Sequence, residues 1–74
     1  MVINVNTPPT YRRPDLQNKP IEVEDGKTVQ QFMKDVKLSD SSVAYVLINK
    51  KKADMTQTLQ HGDQISFIPM MAGG

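Results

Sequence analysis

The chain of 74 residues carries nine Lys and Arg against eight Asp and Glu, a formal charge of +1, with 38% hydrophobic and 23% charged content. This length predicts one small domain, residues 1–74, burying only about 60% of the surface its unfolded chain exposes, so a cleft with several positioned catalytic groups would compete for scarce core residues. The balanced charge and the two Tyr and two Phe exclude a basic or stacking footprint for nucleic acid, the absence of cysteine excludes disulfides, thiolate nucleophiles and cysteine metal sites, and no stretch approaches the ~20 apolar residues of a membrane span.

Met1, Ile3 and Val5 alternate with Val2, Asn4 and Asn6, the period of a strand with one buried face. This start has neither a basic region nor an apolar run of signal-peptide length, and the expected location is cytoplasmic. Residues 7–20 hold Pro8, Pro9, Pro14 and Pro20 without periodicity. They are expected to form an extended connection that stays out of a sheet interior, with Tyr11, Arg12 and Arg13 solvated on it first and contacting a partner as the alternative. Ile21 and Val23 alternate with Glu22 and Glu24 as a second strand, and Asp25 and Gly26 supply the turn after it.

Thr28 followed three residues later by Gln31 is a capping box, and it predicts a helix over residues 28–36. Val29, Phe32, Met33 and Val36 make one apolar stripe, while Gln30, Lys34, Asp35 and Lys37 face water. After a polar break at residues 39–42, the β-branched run Val43–Ile48 has the length and composition of a central strand. Asn49, Lys50, Lys51 and Lys52 read as a solvated turn that discourages edge pairing, and secondarily as a docking patch for an acidic partner. Leu59 is expected to anchor a short irregular segment inward, and His61, Gly62 and Asp63 to turn the chain into the last strand, residues 64–69. No second ligand lies at metal-binding spacing from His61, so no metal site is expected.

That element order predicts an α+β, β-grasp (ubiquitin-like) fold: a mixed four- to five-stranded sheet covered by one main helix, with the first and last strands parallel and adjacent at its centre. A flexible C-terminal tail, 70–74, would then leave the end of a central strand. Ala72, Gly73 and Gly74 close it, and two consecutive glycines pass through a channel too narrow for other residues, which suits insertion into a partner's active site. The terminal carboxylate of Gly74 is the expected reactive group. Met70 and Met71 read as adaptable interface side chains, with one of them folding back as core the equal alternative. Phe67 joins them in the expected partner interface.

The stretch 59–74, Leu-Gln-His-Gly-Asp-Gln-Ile-Ser-Phe-Ile-Pro-Met-Met-Ala-Gly-Gly, is similar to the L-x-x-G-D-x-V/I, apolar strand, Pro, apolar, Ala/Ser-Gly-Gly ending of the MoaD/ThiS family of ubiquitin-like sulfur carrier proteins. Residues 43–49 resemble that family's third strand, which often ends in Asn, so the resemblance covers about the whole chain and is strongest in its last third. The first strand lacks the Phe-Ala pair that follows it in molybdopterin-synthase small subunits. Residues 7–13, Thr-Pro-Pro-Thr-Tyr-Arg-Arg, are instead loosely similar to a Pro-Thr-x-Leu-Arg segment of carriers serving cysteine biosynthesis.

The resemblance implies an E1-like adenylating enzyme that uses ATP and Mg²⁺ to adenylate Gly74, and a sulfur donor that converts the adenylate to a thiocarboxylate. It also implies an acceptor synthase large subunit that takes the sulfur, for molybdopterin first and otherwise for cysteine or thiamine. The chain itself would be no enzyme and would bind no cofactor. That agrees with its four glycines, which form no phosphate-binding loop, and with its carboxylates, which form no recognisable catalytic pair. The alternative is a ubiquitin-like protein modifier joined through Gly74 to lysines, and a third reading is a plain interaction domain whose diglycine is incidental.

Overall fold

A computed structural model describes residues 1–70. The alternating start forms β1 (Val2–Asn6), with Ile3 and Val5 buried and Val2, Asn4 and Asn6 facing out. The remaining strands are β2 (Lys19–Glu22), β3 (Val43–Ile48), β4 (Lys51–Ala53) and β5 (Gln64–Pro69), and they join β1 in one sheet of order β2-β1-β5-β3-β4. β1 and β5 run parallel side by side, with Val5 opposite Ile65. The other pairs are antiparallel. This five-stranded mixed sheet with one main helix is the β-grasp, ubiquitin-like arrangement that the element order predicts.

The helix α1 (Val29–Asp35) starts as its sequence requires: the Gln31 amide donates to Thr28 Oγ1 at 3.3 Å and the Thr28 amide to Gln31 Oε1 at 3.0 Å. A capping box leaves other first-turn donors unpaired, and the segment before β5 takes two of them. The amides of Val29 and Gln30 donate to the carbonyls of Gln57 and Met55 at 3.0 and 2.9 Å, and the Leu59 amide donates back to Lys27 at 2.8 Å. Leu59 is the inward anchor expected, at 2% exposure. Val29, Phe32 and Met33 are buried and Val36 packs partly against the same core, so the predicted stripe faces the sheet. No helix among the described residues is long and apolar enough to cross a membrane.

The Pro-rich connection departs from the extended path expected. It forms two 3-10 turns, Pro9–Tyr11 and Pro14–Leu16, each with proline in its first turn, where the fixed φ suits helix initiation. Leu16 becomes a core residue at 1% exposure, a position that a single leucine among polar and proline residues does not signal by period. Its last residues, Lys19 and Pro20, lie in β2, two residues earlier than the strand read from Ile21 and Val23. β2 is an edge strand, where a residue without an N–H is tolerated.

The polar segment at 49–52 is likewise divided. Asn49 and Lys50 alone make the turn, both at positive φ (52° and 70°), while Lys51 and Lys52 belong to edge strand β4. Ile48 lies opposite Lys51, so the loop has two residues, and positive φ at both is the signature of a type I′ hairpin. Asn49 then reaches further. Its Nδ2 donates to Asp63 Oδ1 at 3.0 Å and its Oδ1 accepts from the Gln64 amide at 3.0 Å, while Asp63 Oδ2 accepts from the Gln60 amide at 2.8 Å. Asp63 is 7% exposed, and this network explains why a carboxylate sits there. Gly62, at φ 86°, lets the turn bring Asp63 to Asn49.

Two expected outcomes follow from this packing. Phe32→Ala should cost about 3 to 5 kcal/mol, against no more than about 0.5 kcal/mol for Lys34→Ala on the wet face, measured as midpoints of urea unfolding. Equal midpoints would show that the stripe does not face a core. Lys50→Gly should raise the midpoint, through a gain in stability of about 0.5 to 1 kcal/mol, because it removes a Cβ from a left-handed backbone position.

Candidate functional site

β5 is the middle strand of the sheet, hydrogen-bonded to β1 on one side and β3 on the other. Its residues alternate between two faces, and the register with β3 sorts them. Phe67 lies opposite Val46, both buried on the helix side, and its ring stacks on Phe32 with centroids 6.2 Å apart and planes 14° from parallel. Ile68 lies opposite Tyr45 on the other face, where Tyr45 is 38% exposed and Lys52 Nζ sits 5.1 Å from its ring centroid. Leu47, opposite Ser66 and Lys52, continues this partly exposed apolar strip.

This parity corrects one expectation. Phe67 is not an interface side chain; at 2% exposure it is a central core residue. Its phase with buried Ile65, two residues earlier, is the sequence signal that places it inside. Tyr45 is exposed on the opposite face in its stead, with Leu47 and Ile68 half-buried beside it. The spacing does not single out Tyr45 and Leu47, because Val43–Ile48 reads as one continuous apolar run and an irregularity between Val43 and Tyr45 breaks its alternation.

Beyond Phe67, Met70 is the one member of the expected tail and interface that the description reaches. It is 55% exposed, and its amide donates to the Ser42 carbonyl at 3.3 Å. Ser42 O also accepts from the Tyr11 phenol at 2.6 Å. Tyr11 is thus half-buried and bonded, in contrast to the solvated loop residue expected, and burial holds its phenol above the ordinary range. Met71, Ala72, Gly73 and Gly74 lie outside the described residues. His61, read as a turn residue, accepts the Val2 amide at Nδ1 at 3.0 Å, which ties the turn before β5 to β1. Among the described residues no three His, Cys, Asp or Glu side chains gather where they could hold a metal ion.

Together the β-grasp fold and the central last strand give the domain the ubiquitin-like architecture. The profile of the ThiS family matches residues 4–74, and the chain belongs to that family. In three dimensions it is similar to the crystal structure of SAMP1 from Haloferax volcanii, with a TM-score of 0.74 at 15% identity over 100% of both chains. No curated protein matches it.

Phe67→Ala should lower stability by about 3 to 5 kcal/mol in urea unfolding, as expected of a truncated core aromatic. A variant with unchanged stability and weakened partner binding would return Phe67 to the interface.

Proposed function

We propose that the Gly74 carboxylate is the reactive group of this protein, activated by an E1-like enzyme and then passed to a nucleophile. The observation that carries this reading is the family match, which runs through residue 74. A strand fixed on both sides gives the tail a defined origin, which suits delivery into another protein's active site.

The chemistry belongs to the partner. A carboxylate is a poor electrophile, so its oxygen first attacks the α-phosphorus of ATP, and the bond to pyrophosphate breaks. The partner would supply Mg²⁺ to neutralise the phosphates as that charge moves. The resulting acyl adenylate has AMP as a good leaving group. Two nucleophiles define the fate of the acyl group.

If a lysine ε-amine attacks, an amide forms, AMP departs and the amine loses a proton, and the chain acts as a ubiquitin-like modifier. The ubiquitin-like fold and the full-length likeness to SAMP1 support this fate. If sulfur at the sulfide level attacks, AMP departs and a thiocarboxylate remains, a nucleophile at neutral pH that needs no cysteine in this chain. Membership of the ThiS family supports that fate, with a synthase large subunit as acceptor in molybdopterin, cysteine or thiamine biosynthesis.

Deleting Gly74 should abolish adenylation and every later product while leaving the urea midpoint unchanged, and undiminished product from the truncated chain would overturn the assignment. Mass spectrometry of protein from the native host separates the fates. Exchange of one oxygen for sulfur at the terminus marks the carrier. Because Lys52 is the last basic residue, a modifier digested with trypsin would leave residues 53–74 branched on a target lysine.

A further inference from the structure

The Pro-rich connection has no part in the proposed chemistry, yet it sends one side chain across the sheet's end to the root of the tail. The 3-10 turn Pro9–Tyr11 is closed by the Tyr11 amide on the Pro8 carbonyl and the Arg12 amide on the Pro9 carbonyl, both at 3.0 Å. It delivers the Tyr11 ring against the core, with the phenol 2.6 Å from Ser42 O. Ser42 is itself held, with its amide and hydroxyl donating to the Ser39 carbonyl at 3.1 and 2.7 Å. Its carbonyl has two lone pairs, and the second accepts the Met70 amide at 3.3 Å.

The β3·β5 ladder loses its regular pairing at this point. Pairing is irregular between Val43 and Tyr45, and Pro69, opposite Val43, has no N–H to donate. The Met70 amide therefore makes the last main-chain bond on β5 among the described residues. Four residues follow Met70, and the four steps to Gly74 span at most about 14 Å. Without that bond the fixed point retreats along β5, and the same carboxylate must be found over a larger volume. Holding the root reduces the ordering cost of presenting the carboxylate to a fixed catalytic site, an effect on the reacting complex more than on encounter.

We propose that Tyr11 is a positioning residue for the C-terminal tail: its phenol braces the Ser42 carbonyl that anchors Met70, and so fixes where the chain leaves β5. This rests on the Gly74 reading above. A phenol is protonated throughout the neutral range, and burial raises its pKa further, so it remains a donor there.

The test compares the full-length chain with Tyr11→Phe, which keeps the ring and removes only the hydroxyl. Val23→Ala serves as the control, since Val23 packs partly on the core and its amide bonds Met1 O, at the end of the sheet opposite the root. Two readouts apply: amide hydrogen exchange followed by NMR, and ATP–pyrophosphate exchange with the native host's E1-like enzyme. Tyr11→Phe should speed exchange at the Met70 amide about ten-fold, the worth of one hydrogen bond, while Val46 and Phe67 amides keep their rates when both are corrected for global stability.

In the enzyme assay, Tyr11→Phe should lower kcat about ten-fold with KM within about two-fold. Val23→Ala, although less stable, should keep the wild-type Met70 exchange and kcat. Met70 exchange unchanged in Tyr11→Phe overturns the brace, and a kcat loss equal in Val23→Ala overturns its role in the reaction. If the wild-type chain supports no pyrophosphate exchange, the Gly74 reading falls and the role in the reaction with it. Met70 exchange then decides the brace alone.

Discussion

The contact between Phe32 and Phe67 joins the one α-helix among the described residues to the middle strand, and the other packing is arranged around it. A chain of this size has few large side chains to bury, and each fully buried aromatic contributes roughly 1.5 to 3 kcal/mol. The two Phe residues are among the largest of the buried set, and both are spent on this one contact. Met33, Val46 and Ile65 fill the space beside them. If α1 were displaced, β5 would lose its cover, and β1 and β3 would lose the surface that buries Ile3, Val5 and Val46.

β5 is also held at both ends, by different means. Where it begins, Asp63 and Asn49 bond to one another and to the Gln60 and Gln64 amides, which locks the β3–β4 hairpin against the turn at Gly62. Where it ends, Ser42 and Tyr11 hold the amide of Met70. The Gly-Asp pair and the terminal Asn of the third strand, two of the features through which the chain resembles its family, therefore have a structural cause. They support membership by building the platform from which the last strand runs.

This division fits the proposed reaction, in which a partner's active site would act on the terminal carboxylate. The described residues gather no metal-ligating cluster, and their buried polar side chains are satisfied within the fold. The two faces of β5 then have separate tasks. Phe67 points into the core, whereas Ile68, beside Tyr45 and Leu47, contributes to a partly exposed apolar strip that leads toward Met70.

Much of the architecture was legible in the sequence because it rests on local rules. The period-2 alternation of β1, the capping box at Thr28 and Gln31, the apolar stripe of α1 and the Gly62 turn each follow from side-chain spacing or backbone sterics. The element order then left few topologies. What the sequence concealed depends on contacts between distant residues. Leu16 is core because two proline-initiated turns carry it there, and Lys51 and Lys52 form a strand because β3 offers an edge to pair with. Tyr11 leaves solvent because Ser42, 31 residues away, presents a carbonyl. Residue spacing is enough for β1, α1, β3, β5 and the candidate tail, whereas the edge strand β4, the faces of β3 and the bonds at the tail's root follow only from the assembled sheet, because strand register and long-range hydrogen bonds exist only there.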